Sequence, residues 1–99
     1  DLPPKPLPVS RATILDTAKQ YVTRDRQNTH GKPEDSFARI ANYWSVYLEG
    51  EVTSKDVAIM MTLLKVARLD ENPTNADNWI DACGYLACGG EIVGSEVPR

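Results

Sequence analysis

The chain has 99 residues, 41% of them hydrophobic and 25% charged, a composition typical of one soluble globular domain. Its 11 basic and 14 acidic residues give a formal net charge of −3, which excludes the basic surface of a general nucleic-acid-binding protein. No apolar run approaches the roughly 20 residues of a membrane-spanning helix. The opening Asp-Leu-Pro-Pro-Lys-Pro contains no apolar signal-peptide region, so we expect a cytoplasmic protein.

The first predicted elements are an extended arm and a helix. Residues 1–9 contain four of the seven prolines and predict a proline-rich arm. Ser10 is a good N-cap, and the apolar residues after it recur at helical spacing, namely Ile14, Leu15, Ala18, Tyr21 and Val22. From Arg24 to Lys32 this period is lost, which predicts a polar loop.

The second helix is predicted to begin at Pro33, because proline suits the first turn of a helix. Glu34 and Asp35 beside it complement the positive end of the helix dipole. We expect Gly50 to end this helix. Its inward stripe is predicted to consist of Phe37, Ile40, Ala41, Trp44, Tyr47 and Leu48.

The third helix is predicted to follow a cap at Thr53 or Ser54 and to end at Asn72-Pro73. Its stretch from Val57 to Ala67 is apolar on nearly every face. A helix of this kind is buried in the middle of its domain or lies at a subunit interface. The sequence therefore favours a homo-oligomer.

The fourth helix is predicted to open at Thr74 or Asn75 and to stop at Gly89-Gly90. Its inward residues are predicted to be Trp79, Ile80, Cys83, Leu86 and Ala87. The complete pattern predicts a single all-α domain, a bundle of about four helices over residues 10–92, followed by a tail over 93–99. Cys83 and Cys88 are turned about 140° apart on a helix, so we expect reduced thiols.

Four charged residues stand where a plain bundle does not need them. Lys65 and Arg68 lie on the most apolar helix, so they either extend to solvent at its end or line an anion-binding pocket. Asp77 and Asp81 project from one face of the next helix. They either pair with the two basic residues or hold a cation such as Mg²⁺, and Asp77 is also explained as a first-turn capping acid.

The loop before the second helix is dense in functional groups. His30, the only histidine, is either an ordinary hydrogen-bonding residue or a general base or phosphate contact. Gly31 is expected in a turn with positive φ, and Gly84 allows either close helix contact or a ligand beside Tyr85. The sequence contains no Walker loop, GxGxxG motif, nucleophile elbow or zinc spacing. The candidate ligand-binding residues are Arg26, His30, Lys65, Arg68, Asn72, Asn78 and Tyr85, and the candidate metal ligands are Glu34, Asp35, Asp77 and Asp81.

The segments from Asp25 to Phe37 and from Lys65 to Tyr85 resemble a family of small proteins encoded by tailed bacteriophages and prophages. The resemblance covers about residues 12–91. It implies a phage origin, and with it the cytoplasm of the host cell, more than it implies an activity.

A looser similarity runs to the all-α, MazG-like nucleoside-triphosphate pyrophosphohydrolases. These are oligomeric helical bundles that hold Mg²⁺ with acidic residues from two helices and hydrolyse the α–β phosphate bond. The similarity places Glu34 and Asp35 on the first acidic motif and Asp81 on the second. Ala38 and Asn78 stand at positions where those enzymes carry further acids.

Three functional hypotheses follow. The first is a Mg²⁺-dependent enzyme that hydrolyses nucleoside triphosphates, with Lys65, Arg68 and His30 holding the phosphates. The second is a non-catalytic protein that binds or sequesters a nucleotide or phosphorylated small molecule. The missing acidic residues favour this hypothesis over the first. The third is an anti-defence or host-takeover module that binds a host protein through the proline-rich arm or an exposed helix face. None of the three involves a membrane.

Overall fold

A computed structural model describes residues 10–25 and 31–96, and every regular element in these ranges is helical. Helix α1 (Arg11–Gln20) continues into a π-helical turn (Tyr21–Asp25), and α2 (Pro33–Leu48), α3 (Ser54–Glu71) and α4 (Ala76–Glu96) follow. The prediction of an all-α bundle of about four helices is confirmed. The proline-rich arm and the last three residues lie outside the described ranges.

The helix starts form where the sequence offers capping side chains. The Ser10 hydroxyl accepts a backbone N–H at the start of α1. Thr53 and Asp56 form a reciprocal capping box at the start of α3, with hydrogen bonds of 2.9 and 3.2 Å. Asn75 Oδ1 accepts the N–H of Asp77 at 3.0 Å as α4 begins. The predicted caps at these three starts are confirmed.

Helix α2 ends one residue earlier than the glycine in the sequence indicates. Glu49 adopts the left-handed conformation (φ 54°), and its N–H donates to the Val46 carbonyl. The N–H of Gly50 donates to the Ser45 carbonyl, which completes a Schellman-type ending. The Ser45 hydroxyl also accepts the Val52 N–H at 2.9 Å, so this one side chain holds the turn between α2 and α3.

The core lies where α2, α3 and α4 meet. Its main cluster consists of Phe37, Ala41, Val57, Ala58, Tyr85 and Ile92, and a smaller cluster under α1 consists of Ala18, Ala76 and Ile80. Helix α3 packs chiefly against α4, while α1 packs against α4 and α2 against α3. These contacts place α4 at the centre of the bundle.

The predicted stop at Gly89-Gly90 is wrong, because α4 continues to Glu96. The physical reason lies in packing, since a Cβ at Gly89 would stand 2.7 Å from the Cβ of Ala58 on α3. Gly89 is therefore a contact point between two helices and not a helix terminator. The first four residues of the predicted tail, 93–96, are helical as a result.

Several residues predicted to face the core are exposed. Trp79 and Leu86 lie on the outer side of α4, because the buried side of that helix runs through Ile80, Gly84 and Tyr85. The Trp79 indole N–H donates to the carbonyl of Pro73, so the ring covers the short connection from α3 to α4. The predicted inward positions of Tyr47, Leu48 and Ala87 are also wrong, and Leu15 of the apolar stripe on α1 is exposed as well.

The predicted polar loop after α1 starts later than expected. Arg24 and Asp25 belong to the π-helical turn, and residues 26–30 lie outside the described ranges. Gly31 has the predicted positive φ, at 77°. No helix in the described ranges is both long enough and apolar enough to cross a membrane, and both cysteines are free thiols.

Candidate functional site

The buried lysine of α3 is paired with an aspartate of α4. Lys65 Nζ lies 3.1 Å from Asp81 Oδ2, and the two side chains are only 11% and 20% exposed. Two neighbouring antiparallel helices with a short connection bring these positions together. Of the alternatives that the sequence leaves open, ion pairing between the third and fourth helices is the one that the structure shows.

An ion pair at this depth is costly for a small domain. Removing both charges from water consumes much of the energy that their attraction returns, so such pairs contribute little net stability. Apolar side chains of similar volume would fill the same space at least as well. Packing energy alone therefore does not explain the pair.

Asp81 also lines a cleft between the end of α1, the start of α2 and the middle of α4. The cleft has a volume of about 30 Å³, room for roughly two water molecules. Its walls are mainly apolar and aromatic, and they include Tyr21, Val22, Pro33, Phe37, Gly84 and Tyr85. A mostly apolar wall with one charged group has the composition of a small-molecule site, but such sites measure roughly 300–1,000 Å³, so this cleft must widen to admit a ligand of that size.

Gly84 sets the width of this cleft. A Cβ at Gly84 would lie 3.0 Å from Val22 Cγ1, so the glycine allows the π-helical turn to approach α4 closely. The rings of Phe37 and Tyr85, which both line the cleft, pack against each other with their centroids 6.2 Å apart and their planes at an angle of 41°. Of the two explanations that the sequence offered for Gly84, close approach of another helical segment is the one observed.

The four candidate metal ligands are not assembled into one cluster. Asp81 is paired with Lys65, Asp77 is exposed in the first turn of α4, and Asp35 is exposed in the first turn of α2. Glu34 faces a neighbouring cavity of about 90 Å³ that also has Glu91 in its wall. Within residues 10–25 and 31–96, no three acidic, histidine or cysteine side chains come close enough to hold a metal ion.

The remaining ligand-binding candidates occupy three different environments. Arg68 is exposed in the last turn of α3 and its carbonyl accepts the Asn72 N–H, while the Asn72 side chain accepts the Thr74 hydroxyl. Asn78 and Tyr85 are buried on α4, and Tyr85 is the one that reaches the cleft. Arg68 does not join Lys65 in a cationic pair along the cleft wall. Arg26 and His30 lie outside the described residues.

Sequence reasoning missed most of the cleft wall. Tyr21 and Phe37 belong to apolar stripes that predict core positions, and Pro33 reads only as a helix start. The available signal was the combination of a glycine inside α4 with an aspartate three residues before it, because neither residue suits a packed helix face. No comparable sequence feature predicted the π-helical turn.

The fold and the cleft together define a small all-α helical domain with a candidate ligand site between its first, second and fourth helices. The chain belongs to the family described as Domain of unknown function (DUF6378), whose family profile matches residues 13–93.

Two curated relatives come from mycobacteriophages. The chain is 40% identical to the Gene 55 protein of Mycobacterium phage L5 over 74 residues, which is 74% of this chain and 47% of that protein. It is 36% identical to the Gene 55 protein of Mycobacterium phage D29 over 76 residues, 77% of this chain and 50% of that protein. The chain thus spans about half the length of these relatives. No solved structure matches it.

These matches confirm the resemblance to bacteriophage proteins and the coarse conclusion that this is a phage-type domain. The looser similarity to pyrophosphohydrolases stays a prediction. A nucleotide-related activity is therefore a matter for proposal and experiment.

Proposed function

We propose that this domain binds a nucleotide or phosphorylated small molecule in the cleft beside Asp81. The observation that supports the proposal is the ion pair of buried Lys65 with Asp81, because the Asp81 side of this pair lines a cleft with aromatic walls. A few charged or polar groups in a mainly apolar cleft are typical of small-molecule sites, where they orient the ligand.

The chemistry of the walls suits the flat ring of a base. Phe37 and Tyr85 are buried in the core, so half-buried Tyr21 is the aromatic side chain of the wall that offers surface to a base. Stacking on aromatic side chains is the common way to bind a base of any type. The Asp81 carboxylate accepts hydrogen bonds, so it would select a base that carries an amino group. Lys65 behind it keeps the carboxylate neutralised when water leaves the cleft.

The phosphates of such a ligand would lie at the cleft mouth. Gly31 and Pro33 both line the cleft, and exposed Lys32 stands between them at the start of α2. The N-terminal end of a helix carries partial positive charge, which favours an anion. The proposal includes contacts of Arg26 and His30 with these phosphates.

Binding without hydrolysis is the form of this proposal that we favour. Hydrolysis at a Mg²⁺ centre needs several converging acids, and Glu34, Asp35 and Asp77 are dispersed around the bundle. Mg²⁺ remains the candidate cofactor of the hydrolytic alternative, and pyrophosphate release that depends on Mg²⁺ would support that alternative instead.

The test is a calorimetric titration of the chain with deoxy- and ribonucleoside triphosphates, monophosphates and cyclic nucleotides, with and without Mg²⁺. We expect at least one amino-bearing nucleotide to bind. The double variant Lys65→Met/Asp81→Leu removes both charges, retains the fold and should lose binding at least tenfold. Asp77→Asn, an exposed aspartate one turn earlier on α4, is the matched control and should bind normally. Absence of binding by the unaltered chain would refute the proposal.

A second candidate function is binding of a host protein through α2. Its C-terminal half exposes Tyr43, Val46 and Tyr47 to between 72% and 86%. Tyrosine is enriched at the centres of protein interfaces, because its ring contributes a large contact area at low entropic cost.

This candidate is tested by exchange of the exposed tyrosines. We expect Tyr43→Ser/Tyr47→Ser to abolish binding to a purified host protein first identified with the unaltered chain, while nucleotide binding in the cleft is unchanged. If the double variant binds the same host protein with undiminished affinity, α2 is not the docking surface.

A further inference from the structure

Helix α3 has an apolar outer face that no described element covers. Its inner side is buried against α2 and α4, whereas Ile59, Met60, Leu63, Leu64 and Val66 on the opposite side are between 40% and 59% exposed. Five half-exposed side chains of this size leave roughly 450 Å² of apolar surface, as large as the largest patch on a typical monomer. A face of this extent indicates an interaction surface.

The charges at the two ends of this face run against the helix dipole. Lys55 stands in the first turn of α3 and Asp70 in the last turn, although cations are favoured at the C-terminal end and anions at the N-terminal end. Both residues lie on the same side of the helix as Ile59 and Leu63, because positions 55, 59, 63, 66 and 70 follow one another at spacings of three and four. Lys55 Nζ lies 3.9 Å from Asp56 Oδ1 in the same turn, but a pair between exposed side chains contributes little, so it does not account for the placement of both charges.

We propose that the α3 outer face pairs with the same face of a second copy in antiparallel orientation. A two-fold axis near Leu63 places Leu63 against the partner's Leu63 and Ile59 against the partner's Val66. The same register brings Lys55 opposite the partner's Asp70 at both ends. An isologous dimer requires a surface that is complementary to itself, and this face has that property in its apolar centre and in its charged ends.

The charge pattern favours a second copy over an unrelated protein. In a parallel pairing Lys55 would face the partner's Lys55, whereas the antiparallel pairing joins opposite charges twice. Pairing the face on two copies would remove roughly 900 Å² of apolar surface from water, which is below the ~1,200 Å² at which stable interfaces begin and typical of weak, transient ones. We therefore expect a reversible dimer with a dissociation constant on the order of 10 μM.

The first test is sedimentation equilibrium of the full chain from about 1 to 300 μM. The unaltered chain should pass from monomer to dimer across this range. Leu63→Glu should remain monomeric, because it places two carboxylates at the two-fold axis. The matched control is Leu15→Glu on α1, where the leucine is 60% exposed compared with 59% for Leu63. This control should dimerise like the unaltered chain.

The second test concerns orientation. Lys55→Asp and Asp70→Lys should each raise the dissociation constant at least threefold, and the double exchange should restore it. Both substitutions agree with the helix dipole, so neither should unfold the monomer, which circular dichroism can check. A chain that stays monomeric at all concentrations overturns the proposal, as does Leu15→Glu disrupting the dimer equally. Failure of the double exchange to restore dimerisation overturns the antiparallel register.

Discussion

Adjacent glycines of α4 should respond in opposite ways to the same substitution. A Cβ at Gly89 would lie 2.7 Å from the Cβ of Ala58, whereas a Cβ at Gly90 would meet nothing within 4 Å. Non-bonded Cβ atoms do not approach each other to 2.7 Å, and the Cβ of Ala58 cannot move away because it is fixed to the backbone of α3. Gly89→Ala therefore forces α3 and α4 apart along their main contact.

The expected magnitudes follow from two opposing terms. Alanine in place of glycine inside a helix stabilises it by about 1 kcal/mol. At Gly90 nothing opposes this gain, so Gly90→Ala should stabilise the domain by about 1 kcal/mol. At Gly89 overpacking costs about 1–3 kcal/mol or more and outweighs the gain. We expect Gly89→Ala to destabilise the domain by about 1–2 kcal/mol.

Urea unfolding followed by circular dichroism measures both effects, because the midpoint shifts while the slope is retained if only stability changes. The further variant Ala58→Gly/Gly89→Ala returns the space between the helices and should recover part of the loss. Equal stabilisation by both glycine substitutions would show that α3 and α4 are not in close contact at Ala58.

Three other changes test the site and the caps. Lys65→Met leaves the Asp81 carboxylate without its partner and should lower the free energy of unfolding by about 2–3 kcal/mol, less than for a fully buried charge because Asp81 keeps some solvent contact. The charge-free double variant Lys65→Met/Asp81→Leu should lie within about 1 kcal/mol of the unaltered chain. Glu49→Gly should stabilise the domain by up to about 1 kcal/mol in thermal melts, because only glycine adopts the left-handed conformation without cost. The backbone N–H and the hydroxyl of Thr53 lower the pKa of Asp56 below its ordinary value of 3.8. The capping box therefore contributes fully above about pH 4, and its contribution is lost as pH falls through the lowered pKa. Asp56→Asn should make acid unfolding less steep, and an unchanged acid profile would contradict this.

The sequence alone was a good guide wherever a local interaction decides the structure. Ser10, Thr53 and Asn75 cap their helices through side-chain bonds within three residues, so their roles are visible in a short window. Pro33 likewise marks a helix start through its own ring geometry. Helix number and order followed from these positions.

Features that depend on a neighbouring helix were not predictable in the same way. Gly89 has the chemistry of a helix terminator, and only the position of Ala58 shows that it is a contact point. The choice between solvent, phosphate and Asp81 as the partner of Lys65 also needed the arrangement of α3 beside α4. Tyr21 and Phe37 line the cleft because of the way in which α1, α2 and α4 are arranged, and hydrophobic periodicity does not predict that arrangement.

The π-helical turn after α1 has a consequence for chain length. A π turn accommodates one more residue than an α turn, so deletion of one exposed residue such as Thr23 would let the segment revert to ordinary helix. The narrower α turn would then change how closely Val22, whose Cγ1 lies 3.0 Å from the Cβ position of Gly84, approaches α4. The shape of the cleft thus depends on the number of residues in this turn, and an insertion or deletion there would change that shape even where every wall side chain is preserved.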